Sequence, residues 1–88
     1  MTWTVNVSHR AGKAIDKLDS QAKRKIQHFI NCLLPNLDNP RQTGKALQGD
    51  LKGLWRYRVG DYRLIAQIQD NELIILVIEI GHRKNIYK

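Results

Sequence analysis

Leu54-Trp-Arg-Tyr-Arg-Val-Gly-Asp-Tyr-Arg-Leu-Ile-Ala-Gln-Ile-Gln-Asp-Asn-Glu-Leu-Ile-Ile-Leu-Val-Ile-Glu-Ile80 holds three strand-like runs in succession. The runs are Leu54–Val59, Tyr62–Gln69 and Leu73–Ile80, parted by Gly60-Asp61 and by Asp70-Asn71-Glu72. Both separators are short enough for antiparallel hairpins, so the stretch reads as a meander. Alternation sorts its side chains between two faces. Trp55, Tyr57 and Val59 share one face of their strand, and Arg56 and Arg58 share the other. In the next strand Tyr62, Leu64, Ala66 and Ile68 make the apolar face, opposite Arg63, Ile65 and Gln67.

Upstream of the meander the apolar period changes from 2 to 3.6. Residues 38–53 carry one Pro and three Gly and form the long connection. Before them, Ala22, Ile26, Phe29, Ile30, Leu33 and Leu37 fall on one helical face, with Ser20 as a plausible N-cap. Pro35 ends or kinks that helix. Ala11, Ala14, Ile15 and Leu18 form the stripe of a preceding helix capped by Ser8. Trp3-Thr-Val-Asn-Val7 alternates as a short strand. The order is β-α-α-β-β-β, an α+β fold with a small, mainly antiparallel sheet and a helical hairpin packed on one face. Cys32, one turn beyond Phe29, is expected to be a buried small hydrophobe.

Eighty-eight residues suit one domain, spanning 1–88. The hydrophobic content of 42% is that of a globular chain, and no apolar run approaches the roughly 20 residues that cross a bilayer. No secretory signal is visible, and a lone cysteine fits a reducing compartment. Membrane, secreted-knot and disordered readings are therefore set aside. The net charge of +7 favours polyanionic partners. It is shared evenly, with 8 basic and 4 acidic residues in 1–50 and 7 and 4 in 51–88, so there is no detachable basic tail.

With helices on the apolar face, the other face gathers Arg56, Arg58 and Arg63, and Arg83 if extended geometry persists past Gly81, with Glu79 near them. A single exposed arginine is ordinarily a solvated surface residue. Several converging on an uncovered face repel one another unless an anion sits among them, and guanidinium forks bind a phosphodiester bidentately. His9, His28 and His82 lack metal-ligand spacing, and one Cys cannot complete a structural zinc site, so neither metal nor cofactor is expected. Gly49-Asp-Leu-Lys-Gly53 is not a phosphate-binding P-loop. Trp55 and Tyr57 read as core, whereas Tyr87, in a polar cationic tail, is a candidate for ligand contact.

The stretch Leu47–Ile65, with its Trp55-Arg-Tyr-Arg-Val-Gly-Asp-Tyr-Arg63 hairpin, resembles the RelE/ParE superfamily of toxin–antitoxin toxins. So does Val77-Ile-Glu-Ile-Gly-His-Arg-Lys-Asn-Ile-Tyr87, and the likeness runs through essentially the whole chain. The resemblance implies a RelE-like microbial RNase fold in a cytoplasmic toxin held in check by a small cognate antitoxin. RelE-type members cut messenger RNA in the ribosomal A site, beside ribosomal RNA, by attack of the ribose 2′-OH and without a metal. Carried over by motif, Arg56, Arg58, Arg63, Arg83 and Tyr87 are the implied site residues, and Arg63, Arg83 and Tyr87, joined by His82, are the catalytic candidates. Arg56, Arg58, Lys52 and Lys84 become the phosphate- and RNA-binding candidates. Arginine cannot act as a base near neutrality, so proton transfer falls to His82, Glu79 or Tyr87. His82 is favoured because imidazole titrates near working pH. The resemblance also covers ParE-type members, which inhibit DNA gyrase without cutting RNA, and leaves room for a non-catalytic module that binds antitoxin or RNA.

Overall fold

The computed structural model describes residues 2–82. Strand β1 (Thr4–Val7) leads into helix α1 (His9–Asp16), and helix α2 (Ser20–His28) follows after a short break. Ser8 caps α1 by accepting from the Ala11 backbone N–H at 3.1 Å. Asp19, rather than the expected Ser20, caps α2 through the Ala22 N–H at 3.2 Å. The register of the second helix also departs from the plain 3.6 pattern. Phe29–Leu33 is a π-helical turn, with the Leu34 N–H donating to the Phe29 carbonyl. One wide turn rotates the face, so Leu34 is fully buried and Leu33 is left 50% exposed. Cys32 is exposed for the same reason, which corrects its expected burial. Around Pro35 a short 3-10 turn, Leu34–Asn36, closes the helix.

The sheet has five strands in the order β1-β5-β4-β3-β2, one more than the alternation predicts. The extra one, β2 (Lys45–Ala46), lies inside the long connection and pairs antiparallel with β3 (Trp55–Val59). Two residues are too few for periodicity to register. The expected meander follows as β3, β4 (Tyr62–Gln69) and β5 (Ile74–His82), all antiparallel, and β1 adds in parallel to β5. Both helices cover one face, and Ala11, Ile15, Ile26, Ile30 and Leu34 meet Tyr57, Leu64, Ala66, Ile75, Val77 and Ile80 there.

The connection is held to the sheet by polar handles on core aromatics. The Tyr57 hydroxyl donates to the Pro40 carbonyl at 2.6 Å, and Trp55 Nε1 donates to the Thr43 carbonyl at 2.7 Å. Burial pushes the Tyr57 phenol up to about 12, although the nearby Arg41 charge opposes the shift. Arg41 itself forks onto Asp70 through two hydrogen bonds of 2.8 and 3.0 Å. Gly44, at φ +84°, runs so close to β3 that a Cβ would collide with the Arg56 carbonyl and the Trp55 ring nitrogen.

Candidate phosphate-binding face

Register places the predicted cations more finely than alternation could. Arg58 stands directly opposite Arg63, and Arg63 directly opposite Gly81. One row along, Lys45, Arg56, Ile65 and Glu79 line up across β2, β3, β4 and β5. Leu64 and Ala66 belong to the core under the helices, so Ile65 and its row face the other way. Like charges directly opposite each other in a ladder are destabilising. The Arg58–Arg63 pair sets two cations side by side, a geometry suited to receiving an anion. Gly81 adds no side chain beside Arg63. Arg58 is exposed, whereas Arg63 is half-buried with its Nε withdrawn from solvent.

Glu79 reaches this face through a β-bulge. Ile65 pairs with Glu79 but Ala66 pairs with Val77, so Ile78 is an extra residue in β5. Without it, the parity of Ile75 and Val77 would send residue 79 into the core. With it, Ile80 takes the core position and Glu79 turns outward. Ser8 pins the bulge from α1's N-terminus, since its N–H donates to the Val77 carbonyl at 2.8 Å and its hydroxyl to the Ile78 carbonyl at 3.0 Å. Arg10, the second residue of α1, then pairs with Glu79 at 3.2 Å.

The other sequence candidates fall elsewhere. His82 pairs in register with Tyr62 and sets its ring edge-on against that tyrosine at 5.5 Å. Tyr62 alternates away from Arg63, so the fold puts His82 on the helix side of the sheet, across from the arginines. A cleft of about 460 Å³ on that side is lined by Asp19, Lys25, Asp61 and Tyr62 among others, away from the arginine row. Lys52 is exposed in the loop between β2 and β3, off the sheet. Arg83, Lys84 and Tyr87 lie outside the described residues. Sequence reasoning missed Lys45, because β2 is so short, and Arg10, because only the bulge brings Glu79 within its reach. No signal in the sequence marks that bulge, since residues 73–78 are uniformly apolar. Among the described residues no group of His, Cys, Asp and Glu is arranged to hold a metal.

Comparison with known proteins finds toxins of toxin–antitoxin systems under both the ParE and the RelE names. Residues 5–87 match the family described as the ParE toxin of the type II toxin–antitoxin system parDE. The toxin RelE of Mycobacterium tuberculosis is 41% identical over 86 residues, covering 98% of this chain and 87% of that protein. A chain of the RelBE2 toxin–antitoxin complex of the same organism superposes with a TM-score of 0.86 at 26% identity, over 97% of this chain and 95% of that one. A chain of the archaeal RelE–RelB complex from Pyrococcus horikoshii gives 0.74 at 27% identity, over 97% and 99%.

Proposed function

The chain belongs to the ParE toxin family of type II toxin–antitoxin systems, and from that premise we propose that it is a ribosome-dependent endoribonuclease that stops translation by cutting messenger RNA in the A site. The observation that carries the reading is the cross-strand Arg58–Arg63 pair beside Arg56 and Lys45, a cationic floor on the face the helices leave bare. A protein that acts by contact with gyrase alone has no need of like charges stacked in register, whereas a phosphodiester in flight to a pentavalent state does.

The chemistry is transesterification. The ribose 2′-oxygen attacks the adjacent phosphorus, the bond to the 5′-oxygen breaks, and a 2′,3′-cyclic phosphate and a 5′-OH are left. Arg56, Arg58 and Arg63 would neutralise the charge that grows on the non-bridging oxygens, and removing one such donor costs about 2.7–4 kcal/mol in comparable sites. Arg83 and Tyr87 are proposed to complete the site, the ring by stacking a base and fixing its phosphate. Lys52 and Lys84 would add phosphate contacts at the rim. His82, the base favoured from the sequence, would have to leave Tyr62 and cross the strand to reach the arginines.

A cognate antitoxin is the expected partner. Relatives of this fold were solved as toxin–antitoxin complexes, and a helix or strand bearing carboxylates would mask the arginine face. Among the described residues no helix is long and apolar enough to cross a membrane. Action on ribosomes would place the toxin in the cytoplasm.

Toeprinting of translating ribosomes with the purified protein tests the reading. Discrete breaks within A-site codons are expected. Intact messenger, with DNA synthesis failing before protein synthesis in induced cells, would replace it with the gyrase reading.

A further inference from the structure

We infer that Glu79 is the proton acceptor for the attacking 2′-hydroxyl, held on the arginine face by the bulge at Ile78 and aimed by Arg10. The inference rests on the nuclease reading above and assigns a step that reading leaves open.

Four observations converge on Glu79. Its register places it in the same lateral row as Arg56, with Ile65 between them. It is also the diagonal neighbour of Arg63, whose direct partner is Gly81; such diagonals lie about 7–8 Å apart, within the span of long side chains. Its outward direction is built rather than incidental, since the extra residue in β5 turns position 79 out of the core. Bulges elsewhere re-aim single side chains beside active sites in this way. Finally, Arg10 is 80% exposed and Glu79 38% exposed, and their 3.2 Å pairing spans two elements that Ser8 already ties together.

A carboxylate among arginines otherwise has a poor rationale. It weakens the field that a phosphate-binding face needs, and an exposed ion pair is worth little to stability. Among the described residues the arginines of this face cannot serve as a base, and His82 lies across the sheet. The step balances simply. The 2′-O–H bond breaks and its proton passes to a Glu79 carboxylate oxygen, while the 2′-oxygen's electron pair forms the new bond to phosphorus. The 5′-oxygen leaves with the electrons of its own phosphorus bond and takes a proton from water, and Glu79 later returns its proton to solvent. Arg10 is a positioning residue here, because it fixes the carboxylate without touching the substrate.

The experiment is single-turnover cleavage of messenger RNA on programmed ribosomes, with wild type, Glu79→Gln, Glu79→Asp, Arg10→Ala and His82→Ala, each checked for its unfolding midpoint and for ribosome binding. Glu79→Gln should lose about 10²–10⁴ in rate, the range of a general base, while binding as tightly as wild type or tighter. Glu79→Asp should recover part of the rate. Arg10→Ala should lower the rate less, and the loss should appear in the maximal single-turnover rate more than in the half-saturating concentration. A Glu79→Gln protein that cuts as fast as wild type or faster would make the carboxylate a mere charge and overturn the inference with the nuclease reading intact. So would a His82→Ala defect larger than that of Glu79→Gln. A wild type that leaves messenger uncut on every ribosome tested would bring down the nuclease reading itself, and this assignment with it.

Discussion

Ser8→Ala removes one hydroxyl that works in two directions. As an acceptor it caps α1 through the Ala11 N–H, and as a donor it satisfies the Ile78 carbonyl that the bulge leaves outside the ladder. An N-cap hydroxyl replaced by alanine costs about 1 kcal/mol. A half-buried carbonyl stripped of its donor costs about 1 kcal/mol more. The two losses concern different groups, so about 2 kcal/mol is expected in all. For a chain of 88 residues, with about 4–8 °C per kcal/mol, the melting midpoint should fall by roughly 10 °C. Ser8→Thr keeps a hydroxyl at the same place and should recover most of the loss. Thermal unfolding followed by circular dichroism reads the difference directly. Because the same hydroxyl anchors the turn that carries Arg10 and the bulge that carries Glu79, cleavage measured well below the melting range should also slow. A midpoint within about 2 °C of wild type would refute the claim that Ser8 holds helix and bulge together.

Arg58→Ala should cut cleavage by roughly 10²–10³ with little change in melting, because Arg58 is exposed and faces another arginine. Arg63→Ala should lose as much activity and some stability as well, since Arg63 is half-buried; Arg63→Lys should restore charge but not the bidentate fork, giving only partial rescue in the same assay. Tyr57→Phe leaves the Pro40 carbonyl without its 2.6 Å donor and should lower stability by about 1–3 kcal/mol in urea titration, leaving the catalytic rate of the folded protein unchanged. In wild type the neutral Tyr57 phenol is the folded form. Its contribution should therefore be complete below pH about 10 and disappear as pH rises toward about 12, visible as an alkaline limb of unfolding that Tyr57→Phe lacks. At the acid end, the hydrogen bonds from Arg41 hold the Asp70 carboxyl below its ordinary value, so their contribution is present at neutrality and is lost as pH falls through the folded titration; Asp70→Asn should flatten that limb.

Local pattern alone determined much of this protein. Two apolar stripes of period 3.6, two short separators and three alternating runs specify a helical hairpin and a meander, because each depends only on neighbours a few residues apart. The same alternation put Arg56, Arg58 and Arg63 on the face away from Trp55, Tyr57 and Leu64, and the structure keeps them there. Spaced motifs in the hairpin and the last strand were enough to identify the family resemblance. What depended on the tertiary structure was phase and partnership. The π-turn exchanged Leu33 for Leu34 and brought Cys32 to the surface, because one widened hydrogen bond shifts every residue after it. Strand β2, two residues long, exists only because Gly44 lets the connection lie against β3. The bulge at Ile78 exists because β5 must bury Val77 and Ile80 together, three positions apart, and that single extra residue turns Glu79 outward toward Arg10. Periodicity counts residues along one chain. Which face a residue occupies after such an insertion is settled by the strand beside it, which is why the arginines and the nearness of Glu79 to them were legible in the sequence, and the bulge with its Arg10 contact was not.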